Sequence, residues 1–331
     1  MSPSISVAIA TFNGGGYLAQ QLDSIHQQTV RPALISISDD GSSDQTLEII
    51  ERFSRVSKIE VRVRIGDGGR GVIGNFRRAF DACDTEYIAY CDQDDFWYPD
   101  KIASYADALK NNPGAALVFH RSLISDEDLK GMGRHEPNSV ASGCYRYPHY
   151  PDHIWGYGHQ MLFSRSVLKR LELILSMSWG GGLAGVIDSN LDISLLVAAG
   201  MIGDIVFIDR DLVKFRRHKN SVSPAAKSSK GVDRYNLFER SALQVTRNLN
   251  MVKAINEKLG CLGGVLSDSY RGRLVEMESR YHDRESIYSS ERRLERLRSL
   301  SRLIFRASYG SRKNNKVSLK RLIVDGLASI A

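Results

Sequence analysis

An α/β fold with a mostly parallel central sheet, followed by a helical extension, is what the sequence predicts for this chain. Short apolar runs alternate with segments of helical spacing over the first two-thirds of the chain. Acid-rich clusters follow two of these runs directly, and beyond about residue 225 the pattern changes to long basic helices. The 331 residues suffice for one large α/β domain and an appended unit. We therefore expect two units, residues 1–224 and 225–331.

The alternation of strands and helices is typical of βαβ units, which build parallel sheets. Strands are predicted at Ile5–Ala10, Leu34–Ser38, Ile59–Ile65, Tyr87–Cys91, Ala115–Phe119, Gly158–Phe163, Ile205–Ile208 and Leu212–Phe215. Helices are predicted from Tyr17 and at Thr46–Phe53, Asn75–Ala82, Lys101–Lys110, Val167–Leu175 and Ile193–Ala199. Residues 120–155 are polar without a clear period, so we expect them to form a substrate-facing excursion.

The run Tyr87–Cys91 is the central element, because three carboxylates follow it within four residues, Asp92 to Asp95. The carboxyl ends of parallel strands are where open α/β folds bind ligands. Clustered acids are costly to bury unpaired, whereas Mg²⁺ or Mn²⁺ takes oxygen ligands and commonly recruits phosphate oxygens. The stretch therefore predicts a metal–diphosphate site. A solvated acidic turn before Pro99 is the alternative.

Several other classes of protein are disfavoured. No dinucleotide fingerprint or P-loop follows the first strand, and Gly66–Gly71 is only a weak phosphate signal that we interpret as a mobile loop. The four cysteines lack metal-type spacing and indicate a reduced compartment. No apolar run reaches the ~18 residues that a membrane span needs, and the N-terminus does not resemble a signal peptide. A cytoplasmic location is expected.

The positive charge is concentrated in the C-terminal part of the chain. Residues 231–331 carry a net charge of +9, whereas the whole protein carries +7. Within residues 292–307, leucines at helical spacing alternate with six arginines. This pattern predicts a basic amphipathic helix suited to an anionic membrane surface. A helix that packs on the first domain is the alternative. Nucleic acid is not an expected partner, because no base-reading module is present.

Four segments in order resemble family-2 glycosyltransferases with the GT-A fold of nucleotide-diphospho-sugar transferases. They are Val7–Gly14, Asp39–Asp44, Asp92–Asp95 and Arg216–Asn220. The resemblance covers roughly residues 4–223 and is strongest to the bacterial rhamnosyltransferase-like subgroup. It implies inverting transfer of a sugar from a UDP- or dTDP-sugar, dTDP-rhamnose among them. The acceptor would be a hydroxyl of a lipid-linked or polysaccharide glycan, such as lipopolysaccharide, at the inner face of the cytoplasmic membrane.

The resemblance also implies roles for individual residues. The nucleotide-sugar contacts would be Thr11, Phe12, Asn13, Asp40, Asn75, Asp92 and Gln93, with Asp39 able to replace Asp40. Asp94 would be the direct ligand of Mn²⁺ or Mg²⁺, and His218 a further metal or diphosphate contact. Arg216 and Arg217 could bind the diphosphate. A plain helix cap remains open for Asn75, and a surface histidine remains open for His218.

Inverting transfer needs a base that takes the proton of the acceptor hydroxyl, worth about 10²–10⁴-fold in rate. Asp192 matches the base of the family, and Asp188 is the second candidate. A first-turn acid that complements the helix dipole is the structural alternative for Asp192. Gly158, His159 and Gln160 match a strand beside the acceptor. The aromatic residues usual after the base are replaced by Ile193 and Ser194, which leaves the acceptor pocket open.

Two other functions are considered. A sugar-1-phosphate nucleotidyltransferase shares the sheet but needs a basic glycine-rich loop after the first strand, and Thr11–Gly16 contains no Lys or Arg. A non-catalytic scaffold could bind glycan or membrane, but clustered acids without a use would be a stability burden. The oligomeric state is left open.

Overall fold

The computed structural model describes residues 3–137, 142–145, 157–176, 191–200 and 202–219, together with the single residues 221 and 279. The predictions for the C-terminal extension, for Asp188 and for Asn220 fall outside these described residues.

The described strands all belong to one ten-stranded sheet. They are β1 (Ile5–Thr11), β2 (Leu34–Asp39), β3 (Glu60–Ile65), β4 (Tyr87–Cys91), β5 (Phe96–Trp97), β6 (Ala115–Ser125), β7 (Gly131–Glu136), β8 (Gly143–Tyr145), β9 (Met161–Ser164) and β10 (Asp204–Arg216). The order across the sheet is β3-β2-β1-β4-β9-β6-β10-β5, with β7 paired to β6 and β8 to β10.

The sheet is mixed, with a parallel framework. Strands β3, β2, β1 and β4 are parallel to one another, and β10 is parallel to β6. Strand β9 lies between β4 and β6 and is antiparallel to both, so β6 and β10 run in the direction of β4. The carboxyl ends of β1, β2, β4, β6 and β10 therefore meet at one edge, which is where the predicted site residues are concentrated.

Helices cover both faces of the sheet. They are α1 (Leu18–His26), α2 (Thr46–Val56), α3 (Gly71–Asp81), α4 (Lys101–Asn111), α5 (Val167–Ser176) and α6 (Leu191–Gly200), with a 3₁₀ turn at Gly158–Gln160. On one face, Tyr87, Ala89 and Cys91 of β4 join a core with α1, α2 and α4. On the other face, Tyr90 stacks on Phe76 of α3 with ring centroids 3.9 Å apart. Burial on both faces explains the unbroken apolar runs of β1 and β4.

Several boundaries differ from the predictions, and four of the differences lie in elements around the site. The strands expected at 205–208 and 212–215 are one strand, β10, with register shifts after Ile208 and Asp211. Strand β6 continues to Ser125, through the beginning of the expected excursion. Residues 158–160 form a 3₁₀ turn, and the strand begins only at Met161. Helix α3 begins at Gly71 rather than Asn75, because the Asp40 carboxylate accepts the amide N–H groups at its first turn.

Within the described part of the chain, none of the helices is both long and apolar enough to cross a membrane.

Candidate active site

The acidic loop after β4 is held in place by the end of β10. The amide of Arg216 donates to Asp95 Oδ1 at 3.0 Å, and its Nε donates to the carbonyl of Asp94 at 2.7 Å. The same guanidinium donates to the Glu127 carbonyl and to Gln20 Oε1. Arg216 is buried, so these bonds occupy it inside the protein. Arg216 therefore positions the acidic loop. Of the two arginines considered for the diphosphate, Arg217 is the one that we still expect to bind it.

Asp94 and His218 face each other at this edge. Asp94 Oδ2 lies 2.8 Å from His218 Nε2, and the imidazole packs on the ring of Tyr17 with centroids 4.4 Å apart. Adjacent ligand atoms of an octahedral ion with bonds of about 2.1 Å are about 3 Å apart. The two side chains are hydrogen-bonded at this distance, which is also compatible with two adjacent ligand atoms of a divalent ion. The Asp94 side chain is 22% exposed.

A second group of donors lies deeper, formed by Asp92, Asp95 and His159. His159 Nδ1 lies 3.5 Å from Asp92 Oδ2 and 3.7 Å from Asp95 Oδ2. The Nδ1 atom and Asp95 Oδ2 are buried without a hydrogen-bond partner. The geometry could hold an ion, and the fully buried Lys101 beside it compensates these acids only in part, because burial lowers the pKa of Lys101 to about 7. The pair Asp94 and His218 remains the predicted set of metal ligands, with the deeper group as the second candidate.

Burial dominates the electrostatics of the loop. It raises the pKa of Asp92 to about 6, with Lys101 acting in the opposite direction. The pKa of Asp94 is raised by burial and by the charge of Asp92, and that of Asp95 is raised well above its usual value for the same kind of reason. Burial and the nearby ammonium lower the pKa of His159 to about 3, so this imidazole is neutral. Such shifts in a cleft indicate a functional site.

Asp192 lies in the first turn of α6. Hydrogen bonding with the Gly158 amide and with the Tyr90 hydroxyl acts to lower its pKa, but burial outweighs it. Burial and, after it, the negative charge of Asp92 together raise the pKa of Asp192 to about 7. A charge effect of this kind requires proximity. The fold therefore brings Asp192 and the acidic loop, about a hundred residues apart in the sequence, to one cleft.

Thr11, Asp39 and Asp40 form the floor of the expected nucleotide pocket. The Thr11 hydroxyl donates to Asp39 Oδ2 at 2.7 Å and is buried. Asp39 also accepts the amides of Gly41 and Ser42, so its oxygens are used within the loop. The Asp40 carboxylate accepts the backbone N–H groups of Arg70 and Gly71 at the start of α3. Because a carboxylate has about four acceptor positions, Asp40 can still accept a base N–H.

Phe12, Asn13 and Gln93 link the first loop to its neighbours. The Gln93 side chain pairs with both main-chain groups of Phe12, at 3.0 Å and 3.2 Å. Asn13 accepts the Ser43 amide through its side chain. The Phe12 ring is 55% exposed, as a stacking platform for a base should be. Phe12 thus presents a ligand-facing surface, while Gln93 and Asn13 hold the loops that frame it.

Asn75 lies inside α3 and is buried, so it is not the helix cap considered as an alternative. Its side chain donates to the Thr11 carbonyl at 2.9 Å and accepts the Ser38 hydroxyl at 2.5 Å. Asn75 therefore connects α3 to the ends of β1 and β2, next to the predicted nucleotide pocket.

The turn Gly158–Gln160 lies between the acidic loop and Asp192. Its His159 and Gln160 side chains are buried and bond to Ser122 beneath the turn. From α4, Lys101 Nζ donates to the His159 carbonyl at 2.7 Å and the Tyr105 hydroxyl donates to the Gln160 carbonyl at 3.0 Å. The turn is therefore fixed to β6 and α4, with the His159 imidazole beside Asp92 and Asp95.

Two residues of the site were not among those predicted. Tyr90 belongs to the apolar run before the acids, so its type indicates only core packing. Lys101 was placed on a helix without a role. Its spacing to Tyr105 and Leu109 puts it on the buried face of α4, and this is the signal that could have identified it.

Comparison with known families agrees with this geometry. The family model described as glycosyl transferase family 2 matches residues 6–172. The chain belongs to glycosyltransferase family 2. The matched residues include nearly all of β1, and β2 and β4 with the acidic loops that follow these two strands. The prediction of the family from the sequence is thereby confirmed.

Curated relatives of this glycosyltransferase match shorter segments. The dTDP-rhamnosyl transferase RfbG of Shigella flexneri is 41% identical over 109 residues, which is 31% of this chain and 37% of that protein. The uncharacterized glycosyltransferase alr2836 of Nostoc is 28% identical over 124 residues, 38% of either chain. The chain thus spans well under two-thirds of the length of both relatives.

Solved structures support the fold. TarS of S. aureus in complex with UDP superposes with a TM-score of 0.55 at 14% identity, covering 99% of this chain and 88% of that one. The mannosyltransferase PcManGT of Pyrobaculum calidifontis, in complex with GDP-Man and Mn²⁺, gives 0.50 at 15% identity, covering 100% and 87%. At these identities the likeness shows the GT-A fold alone, and it confirms the predicted fold class.

Proposed function

We propose that this family-2 glycosyltransferase moves a sugar from a UDP- or dTDP-sugar, with inversion, to a hydroxyl of a polysaccharide or lipid-linked acceptor. The rhamnosyltransferase among its relatives makes dTDP-rhamnose the first donor to try. UDP in the TarS complex and GDP-Man in the mannosyltransferase complex support a nucleotide-diphospho-sugar as the donor class.

One observation carries the proposal. Asp192 lies close enough to the acidic loop for the charge of Asp92 to raise its pKa, and the combined shift brings that pKa to about 7. A general base works best when its pKa lies near the working pH. An acid in the first turn that only stabilised the helix dipole would be exposed, and it would have no reason to lie near another carboxylate such as Asp92.

The chemistry assigned to these residues is a single displacement. The acceptor oxygen bonds to the anomeric carbon of the donor as the bond from that carbon to the diphosphate breaks. Asp192 receives the proton of the acceptor hydroxyl. Phe12 and Asp40 contact the nucleotide base, and Asp92 is assigned to the side of the donor sugar and the ribose.

A divalent cation fits the pair Asp94 and His218, whose donor atoms converge at the cleft. When bound there, Mn²⁺ or Mg²⁺ would stabilise the negative charge of the departing diphosphate as a Lewis acid. Because one of the two ligands is the imidazole of His218, Mn²⁺ is favoured over Mg²⁺.

The experiment is a measurement of nucleoside diphosphate release from a panel containing dTDP-rhamnose, UDP-GlcNAc and GDP-Man, with water or added glycans as acceptors. We expect release from at least one donor with Mn²⁺ and none with EDTA. Equal release with Mn²⁺ and with EDTA would exclude the metal role. Binding of every donor without any release in the presence of acceptors would favour the non-catalytic scaffold.

The C-terminal residues 225–331 are proposed as a separate unit that contacts the inner membrane face. The support is their sequence, because residues 231–331 carry a net charge of +9. Pelleting with liposomes rich in anionic lipid tests this. The full chain should pellet with them in low salt, and a chain ending at residue 291 should stay in solution. Equal pelleting of both would exclude membrane contact through the tail.

A further inference from the structure

We propose that Tyr17 is a positioning residue for the metal site, whose ring holds the His218 imidazole with its Nε2 atom toward Asp94. The inference rests on the proposed function, because it takes Asp94 and His218 to be the metal ligands. It goes beyond that function by assigning a part in cation binding to a tyrosine that lies directly before α1, far from both ligands in the sequence.

His218 needs support from elsewhere in the fold, because it lies two residues after the end of β10. Its amide donates to Ser221 Oγ at 3.1 Å, and its carbonyl accepts the Ser221 amide at 3.1 Å, so it belongs to a short turn. A histidine that binds a metal usually donates its second ring nitrogen to a carboxylate or a carbonyl, which fixes the ring. Within the described part of the chain, His218 Nδ1 is buried and has no hydrogen-bond partner. The orientation of this imidazole must therefore come from packing.

The ring of Tyr17 supplies that packing. The centroids of the Tyr17 and His218 rings are 4.4 Å apart, with the ring planes inclined at 37°. The His218 side chain is only 6% exposed, so its rotation is restricted by the atoms around it. In the orientation that results, Nε2 lies 2.8 Å from Asp94 Oδ2. The contact with Tyr17 thus favours the one arrangement in which both donor atoms can share an ion.

Tyr17 is itself held by the framework of the acidic loop. Its hydroxyl donates to Glu127 Oε1 at 2.5 Å. The guanidinium carbon of Arg216 lies 4.9 Å from the centroid of the Tyr17 ring. That same guanidinium donates to the carbonyl groups of Asp94 and Glu127. The ring therefore connects His218 to the residue that positions the acids, and the two metal ligands are held relative to each other.

The test is Mn²⁺ binding by the full chain with saturating UDP or dTDP, whichever the wild type binds more tightly. Electron paramagnetic resonance measures the free ion, and a sample without protein corrects for ion held by the nucleotide. Tyr17→Leu removes the ring, whereas Tyr17→Phe removes only the hydroxyl. We expect Tyr17→Leu to raise the Kd for Mn²⁺ about tenfold, the lower end of the 10- to 100-fold range for residues that orient metal ligands. Tyr17→Phe should recover binding to within about twofold of the wild type, because it keeps the ring.

A double variant separates failure of the inference from failure of the proposed function. If Tyr17 acts through His218, Tyr17→Leu should weaken Mn²⁺ binding no further in a His218→Ala background. An equal loss in both backgrounds, a wild-type Kd in Tyr17→Leu, or an equal loss in Tyr17→Phe and Tyr17→Leu would overturn the inference while leaving His218 as a ligand. Wild-type Mn²⁺ binding by His218→Ala would instead overturn the metal site of the proposed function. Should Tyr17→Leu not fold by circular dichroism, Tyr17→Met takes its place, with the same expected loss and the same refuting results.

Discussion

The ionisation of Asp192 should be visible in the pH dependence of kcat/KM. This constant reports the free enzyme, which is the state whose pKa values the structure describes. With the pKa of Asp192 raised to about 7 by burial and by Asp92, the carboxylate is protonated and inactive below that pH. By the titration equation about a tenth of the enzyme is ionised at pH 6 and about nine-tenths at pH 8, so activity should rise roughly tenfold between them.

The assay is nucleoside diphosphate release at low donor concentration, with fixed Mn²⁺ and ionic strength, from pH 5.5 to 8.5. Asp92 also has a raised pKa, of about 6, and adds a second, lower ionisation. Asp192→Asn controls for this, because its residual activity should follow Asp92 and the metal ligands only. A wild-type profile that is flat between pH 6 and pH 8, or one that Asp192→Asn reproduces, would refute the assignment of Asp192 as the base.

Three further predictions concern other parts of the molecule. Gln93→Glu removes the side-chain amide that donates to the Phe12 carbonyl. The affinity for UDP, measured by calorimetry, should weaken about 3- to 10-fold. An unchanged affinity would exclude a role of Gln93 in holding the loop. His218→Ala should raise the Mn²⁺ concentration for half-maximal release at least about tenfold, and an unchanged requirement would point to the deeper donors. Leu22→Ala, in the buried face of α1, should lower the free energy of unfolding in urea by about 2–5 kcal/mol, and a loss below about 1 kcal/mol would contradict its packing.

The central strands and the order of the acidic loops could be predicted from the sequence. Strands that are buried on both faces, such as β1 and β4, have a mostly apolar local composition that can be recognised in the sequence. Acidic residues directly after such a strand mark its end, because they do not fit into a core. The direction of β9 could not be predicted in this way. A four-residue apolar strand has the same pattern whether it inserts parallel or antiparallel to β4, and only the tertiary arrangement decides.

The roles of individual polar residues were less predictable. The residue types at Thr11, Gln93 and Asn75 are suited to binding a nucleotide, and all three lie beside the pocket. Each of them, however, forms hydrogen bonds with chain segments that are 28 to 81 residues away in the sequence. A sequence pattern identifies a donor or an acceptor, but the partner comes from the fold. The same reason hid Lys101, whose ammonium donates to the His159 carbonyl 58 residues away.

The most direct test of the account separates binding from turnover at the two sides of the cleft. Calorimetry with UDP and dTDP in the presence of Mn²⁺ is carried out on Asp94→Asn and Asp192→Asn, alongside the release assay. The account predicts that Asp94→Asn loses the Mn²⁺-dependent part of nucleotide binding. Asp192→Asn should bind as the wild type does and release nucleoside diphosphate about 10²–10⁴-fold more slowly. Wild-type nucleotide binding by Asp94→Asn, or wild-type turnover by Asp192→Asn, would contradict it.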